Sequence, residues 1–244
     1  MKQVLNFLQW LFKLYVVATF GITMLLLYPI FKALLAKKKF RTVFKIKHYW
    51  SMVMRVLCFM RLSITYQAPF PKAPYVVVAN HSSYLDIVFM YAMVPHFFVF
   101  MGKHELLKWP LVRIFFYEMN IAVNRTNHKD AHRAFLRAAE AIDKGACIAL
   151  FPEGTIPLNT PKLGRFKNGA FKLAIEKQVP IVALTFKNNW RLLGDLVPGN
   201  HRARPGTARV VVHPPIITTG MDEKDLVLLR NRVFDLINHT LEKS

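Results

Sequence analysis

The chain is short of cysteine and of acid. Two cysteines in 244 residues, Cys58 and Cys147, make no disulfide framework. Both lie in apolar stretches, where a thiol packs as a small hydrophobe, and neither has a neighbouring histidine to suggest a thiolate nucleophile. The nine histidines are scattered without H-x-H or H-E-x-x-H spacing, so no metal site is legible. No internal repeat or low-complexity tract occurs. Asp and Glu total 14 against 34 Lys and Arg, a formal charge of +20. Yet 53% of the residues are hydrophobic. A basic nucleic-acid binder is usually more polar, whereas a basic and greasy chain fits an anionic membrane surface. The charge alone would motivate a non-catalytic protein bound to a membrane surface or a nucleic acid. No aromatic-interleaved RNA motif or recognition-helix pattern supports that alternative.

The greasy residues are concentrated near the N-terminus. Leu14 to Phe31 carries no charge. As a helix it would be roughly 27 Å long, near the hydrocarbon thickness of a bilayer, with Gly21 and Pro29 as imperfections. Lys32, Lys37, Lys38, Lys39, Arg41, Lys45 and Lys47 follow, a cluster suited to anionic headgroups and the cytoplasmic face. Because the cluster follows the apolar run, the run is read as an anchor and not as a cleaved signal peptide. Tyr49 to Ile64 is a second apolar stretch at helical spacing, and Arg55 and Arg61 make it an interfacial helix rather than a span. These segments define an N-terminal membrane-associated helical pair over residues 1–68.

After the proline-rich boundary Phe70-Pro71-Lys72-Ala73-Pro74 the pattern changes, and residues 69–244 read as one α/β domain. Strands are expected at Tyr75–Ala79, Phe97–Met101, Ile121–Val123, Cys147–Phe151, Val179–Phe186 and Arg209–His213. Helices are expected at Leu106–Tyr117, Asp130–Lys144, Gly169–Gln178 and Asp222–Leu241. Alternation of this kind predicts a mixed, largely parallel sheet flanked by helices.

Two strand-end loops carry chemistry. Asn80-His81-Ser82-Ser83-Tyr84-Leu85-Asp86 follows the first apolar strand, at the carboxyl edge where open α/β sheets hold ligands. Ser82 or Ser83 can cap the next helix, which places Asp86 about one turn along and within reach of the imidazole. A carboxylate on one ring nitrogen fixes the tautomer and frees the other to take a proton. Phe151-Pro152-Glu153-Gly154-Thr155 follows a second strand, with Pro152 and Gly154 enforcing a turn and Glu153 at the same sheet edge.

Together these stretches resemble the glycerolipid acyltransferases, specifically the 1-acylglycerol-3-phosphate type. That signature is N-H-x-x-x-x-D, a strand ending in Arg, F-P-E-G-T, and a V-P-I-V strand. The corresponding blocks here are Asn80 to Asp86, Asn120 to Arg125, Phe151 to Thr155, and Val179-Pro180-Ile181-Val182, in that order. The departures are Met119 and Ala122 in the second block, Ile156 after the third, and Ala183 after the fourth. Lys162, Arg165 or Lys167 can supply the charge absent at Ile156.

The resemblance implies acyl transfer from acyl-ACP or acyl-CoA to the sn-2 hydroxyl of 1-acylglycerol 3-phosphate. No metal or cofactor is implied. His81 would be the base and Asp86 its orienter, with Ser82 and Ser83 as positioning residues. Backbone N–H groups at the start of the next helix would meet the oxyanion. Arg125 at a strand end would grip the phosphate, unless it is a surface arginine. Glu153, Gly154 and Thr155 would position the acceptor. Lys103, after the Phe97–Met101 strand, is either an auxiliary to the phosphate or a solvated lysine. The implied partners are the membrane lipid, the acyl thioester and an acyl carrier protein, with no nucleic acid. The implied location is the inner membrane, with the catalytic domain on its cytoplasmic face. Glycerol 3-phosphate or a lyso-aminolipid are the alternative acceptors.

Overall fold

The computed structural model describes residues 2–124, 126–194 and 202–243. Two helices open the chain, α1 (Lys2–Ala36) and α2 (Phe40–Leu57). Next come β1 (Met60–Tyr66), β2 (Val76–Ala79), α3 (Leu85–Met93), β3 (Phe98–Lys103) and α4 (Pro110–Glu118). They are followed by β4 (Ile121–Val123), α5 (His128–Asp143), β5 (Cys147–Leu150) and α6 (Gly169–Glu176). The chain closes with β6 (Ile181–Phe186), the single turn α7 (Asn189–Leu192), β7 (Gly206–Val212) and α8 (Leu226–Glu242).

The seven strands form one sheet in the order β1-β7-β6-β2-β5-β3-β4. Every neighbouring pair is parallel except β6 and β7, so the sheet is mixed and largely parallel, as the alternation predicts. The central strands are apolar throughout because both faces are covered. Val77, Ala79, Cys147, Ala149, Val182 and Leu184 face the core shared with α1 to α4. Val76, Val78, Ile148, Ile181 and Ala183 face the core made with α5, α6 and α8. α5 shows how local chemistry sets an element. Asn127 caps it by accepting from the main-chain N–H groups of Lys129 and Asp130, Ala134, Ala138, Ala139 and Ile142 are buried, and Gly145 at φ +77° ends it.

Two stretches differ from the periodicity-based expectation. The apolar run from Tyr49 is helical only to Leu57. Phe59 turns the chain at φ +52°, and residues 60–66 form β1, paired in parallel with β7 from Met60↔Gly206 to Tyr66↔Val212. The sequence Met-Arg-Leu-Ser-Ile-Thr-Tyr alternates apolar and polar residues, the period of a half-buried strand. The boundary expected at residue 68 therefore falls after a strand of the sheet. Val16, Met24, Phe31 and Leu35 of α1 also share one core with Phe89, Phe98 and Ala149 of the α/β layer. The second difference is at Leu106–Tyr117, where a 3₁₀ turn (His104–Lys108) precedes α4. Trp109 is extended (φ −90°, ψ 109°) because the residue before a proline avoids the helical region, and Pro110 takes the first helical position.

Candidate active site

β2 delivers His81 to the carboxyl edge of the sheet. Asn80 holds the exit, since its amide nitrogen donates to Phe186 O at 3.0 Å and its amide oxygen accepts from Phe186 N at 2.8 Å. The side chain thus extends the β2–β6 ladder by one step. The chain then turns into α3, and His81 Nδ1 meets Asp86 Oδ2 at 3.0 Å.

Asp86 is fully buried and held from several sides. Oδ2 also accepts the main-chain N–H groups of Ser82 at 2.6 Å and Ser83 at 2.8 Å. Oδ1 accepts from the Asn189 amide at 2.7 Å. A buried carboxylate held by donors on both oxygens cannot rotate. It presents a fixed acceptor to Nδ1, which leaves Nε2 as the ring nitrogen able to take a proton. The His81 side chain is 11% exposed, so ligand can reach it. Its ring lies flat on Phe151 with centroids 3.9 Å apart and planes 2° apart. The aromatic face and the carboxylate together fix the direction in which Nε2 points.

The F-P-E-G-T segment acts as a clamp. Glu153 Oε1 accepts the His81 main-chain N–H at 2.7 Å, and Oε2 accepts that of Gly164 at 2.6 Å. The carboxylate therefore ties the β2 and β5 exits to the loop beyond, and both its oxygens are engaged by protein. Burial pushes its pKa up to about 7, against the lowering effect of those two N–H donors, and the Asp86 charge adds to the rise. Gly154 sits at φ +81°, where a side chain would be strained. A Cβ on Gly164 would lie 3.1 Å from Glu153 Oε2, so a side chain there would push on the clamp. Thr155 is exposed.

The other expected residues stand apart from this cluster. Lys103 ends β3 at the same sheet edge, is exposed, and pairs with Glu105 at 3.1 Å. Arg125 lies outside the described residues. Lys162 and Arg165 are exposed on the loop after β5. The helix-start N–H groups expected for an oxyanion are occupied. Ser82 and Ser83 donate to Asp86, Leu85 to Ser83 Oγ, Asp86 to Ser83 O, and Ile87 to Tyr84 O. Ser83 Oγ in turn donates to Leu193 O at 2.7 Å.

Three contributors were not legible as site residues: the Asn189 amide, the Phe151 ring as a platform, and Gly164. Asn189 follows the V-P-I-V strand at a strand exit, which is the one sequence signal that points to it. Beside the pair opens an apolar cavity of about 200 Å³. Tyr84, Leu85 and Leu193 line it near the histidine, and Met24, Trp50 and Phe115 line it from the helices. Lys47, expected in the basic cluster facing anionic headgroups, is buried in its wall, 3.5 Å from the centroid of the Phe115 ring and 3.2 Å from the Tyr91 hydroxyl.

Fold and site together describe an α/β protein with a carboxylate-paired histidine at the open carboxyl edge of its sheet. The acyltransferase family model matches residues 61–187, over half of the chain. The chain belongs to the acyltransferase family. It is 33% identical over 172 residues to sheep 1-acyl-sn-glycerol-3-phosphate acyltransferase alpha, covering 67% of this chain and 56% of the relative. It is 31% identical over 148 residues to a 1-acyl-sn-glycerol-3-phosphate acyltransferase of Chlamydomonas reinhardtii, covering 59% of this chain and 43% of that protein. The chain thus spans about half the length of these curated relatives. The crystal structure of the 1-acyl-sn-glycerophosphate acyltransferase PlsC from Thermotoga maritima superposes with a TM-score of 0.71 at 23% identity, over 100% of this chain and 97% of that one. That likeness is one of fold.

Proposed function

We propose that this chain transfers a fatty acyl group from a thioester to the sn-2 hydroxyl of a 1-acylglycerol 3-phosphate, giving phosphatidic acid and a free thiol. The observation that carries this reading is the 3.0 Å contact between His81 Nδ1 and a buried, fully hydrogen-bonded Asp86, placed beside an apolar cavity. The relatives' names, 1-acyl-sn-glycerol-3-phosphate acyltransferases, supply the acceptor.

In the proposed step His81 Nε2 takes the hydroxyl proton as the oxygen attacks the thioester carbonyl carbon. Asp86 steadies the imidazolium that forms. The tetrahedral intermediate collapses with cleavage of the C–S bond, and the proton passes from His81 to the departing sulfur. No covalent enzyme intermediate is needed. General-base help of this kind is worth about 10²–10⁴-fold. The apolar cavity takes acyl chain. Arg125 and Lys103 are the cations proposed for the phosphate, and Gly154 and Thr155 border the acceptor. Glu153 acts on the loops that hold His81 and not on the ligand. The donor is acyl-ACP or acyl-CoA.

α1 has the length and composition of a membrane-crossing helix over Gln3–Ala36, and its most apolar stretch reaches a mean hydropathy of 2.0. Val16, Met24, Phe31 and Leu35, however, pack into the shared core. We therefore infer that α1 and α2 enter one leaflet of the inner membrane and hold the sheet edge at its cytoplasmic surface. His81→Ala should lower acyl transfer to lysophosphatidic acid by ~10²-fold or more while leaving the thermal unfolding midpoint close to that of the wild type. Near-normal turnover would dismiss the base assignment.

A further inference from the structure

A second cavity, of about 500 Å³, lies away from the histidine. It forms where the sheet edge is incomplete. β4 joins β3 only from Met101↔Ile121 onward, so the first half of β3 has no outer strand. Val99, Met119 and Ile121 make an apolar floor there. Phe97, which precedes β3, and Ala146, which precedes β5, also line it, so the cavity opens at the amino edge of the sheet. His81 and Glu153 lie beyond the carboxyl ends. Strand rise across the four residues of β5 alone separates the two edges by roughly 13 Å. One headgroup cannot touch both places.

The rim is cationic. Lys38 and Lys39 come from the α1–α2 connection, Arg41 from α2, Arg137 from α5, and Lys144 from the residue that follows α5. The one carboxylate in the lining, Glu140, is paired with Lys144. Among the described residues, Lys38, Lys39, Arg41 and Arg137 have no carboxylate within ion-pair distance. The two guanidinium groups are already placed. Arg41 is held over the floor, 5.3 Å from the Phe97 ring centroid, and Arg137 makes one long contact of 3.4 Å to Asn120 O. Guanidinium groups from two elements above an apolar floor suit an oxyanion carried on a greasy body. A free inorganic anion would gain nothing from the floor.

The rim residues Lys38 and Lys39 follow directly on α1 in the chain. Ile22, Leu25, Leu26 and Ile30 are exposed along that helix, which ends at Ala36 just before Lys37, Lys38 and Lys39. An apolar face running into a basic rim is the order met on passing from acyl chains to anionic headgroups. We propose that this cavity binds the phosphate headgroup of an anionic membrane glycerolipid, at a site separate from the His81 centre. Arg41 and Arg137 grip the phosphate, Lys38 and Lys39 add field, and the floor receives the glycerol and the first acyl carbons.

The test uses the full chain in neutral detergent and dihexanoyl phosphatidylglycerol below its micelle concentration, followed by calorimetry. Parallel titrations use dihexanoyl phosphatidylcholine and inorganic phosphate. Saturable binding of the anionic lipid is expected, weakened roughly tenfold or more by Arg41→Gln with Arg137→Gln. Lys129→Gln with Lys224→Gln, exposed elsewhere and matched in charge, should change it less than about twofold. Equal weakening by both pairs would overturn the proposal in favour of diffuse attraction. Inorganic phosphate binding as tightly as the lipid would overturn the lipid assignment. A photoactivatable analogue should label the segments 97–99, 119–121 or 137–146, and labelling confined to 81–86 or 151–167 would overturn the location. None of these readouts depends on acyl transfer.

Discussion

At the scale of single residues, the site is organised around two carboxylates with different tasks. Asp86 faces His81, and Glu153 faces only main-chain N–H groups. Glu153 accepts from His81 and Gly164 most strongly when ionised, and burial holds its pKa at about 7 against an ordinary 4.5. In the folded state it therefore keeps a proton between those two values that the unfolded chain has released. Its ionisation weakens stability as pH rises through that window but completes the clamp. Acyl-transfer kcat/KM should accordingly rise with pH through about 7. Glu153→Gln turns an amide nitrogen toward an N–H donor, and should lower kcat/KM at pH 8 by about 10-fold or more, as expected for loss of a charge-assisted bond. It should also flatten the Glu153 part of the profile. A variant profile superimposable on the wild type would remove Glu153 from the clamp. The His81–Asp86 pairing was legible because five residues across a strand-to-helix turn bring the two side chains together. Asn189 was not, because 103 residues separate it from Asp86 and only the β6 exit brings it there.

At the scale of elements, α1 has two contrasting faces. Val16, Met24, Phe31 and Leu35 are buried, while Leu25 and Leu26 are 63% and 70% exposed. Their spacing follows the helix period, so one stripe packs and another stays free for lipid. Leu25→Lys with Leu26→Lys should leave the core intact and release the protein from neutral vesicles in a flotation assay. Each leucine side chain withdrawn from lipid forfeits roughly 2 kcal/mol of transfer. Undiminished flotation would place the anchor elsewhere. β1 teaches the opposite lesson about legibility. Its alternating pattern was present in the sequence, but the preceding helical stripe ran into it without a proline or glycine to mark the break. What makes residues 60–66 a strand is the pairing with β7, about 146 positions later in register.

At the scale of the whole molecule, the helical pair and the sheet share one core, and Lys47 sits inside it. Burial lowers its pKa from an ordinary 10.5 to about 7, with Tyr91 and the Phe115 ring as its surroundings. Between those values the unfolded chain binds a proton that the folded chain lacks, so stability should increase as pH rises from about 7 toward 10.5. Lys47→Met should remove most of that slope and raise the unfolding midpoint at pH 7. The gain would be a few kcal/mol, at ~1.4 kcal/mol per pKa unit. An unchanged slope in the variant would show that the amine is solvated in the folded protein.

The sequence by itself determined the βα alternation, the apolar strands, the greasy basic N-terminus and the two strand-end motifs. Each of these is a local pattern of period, turn chemistry or charge. Only the tertiary structure decided that β1 completes the sheet and that Glu153 is a clamp. It also decided that Asn189 holds Asp86, that Lys47 is buried, and that a basic cavity opens at the amino edge. All of these depend on strand order and on which loops meet, and contacts between residues a hundred positions apart leave no periodic trace in the chain.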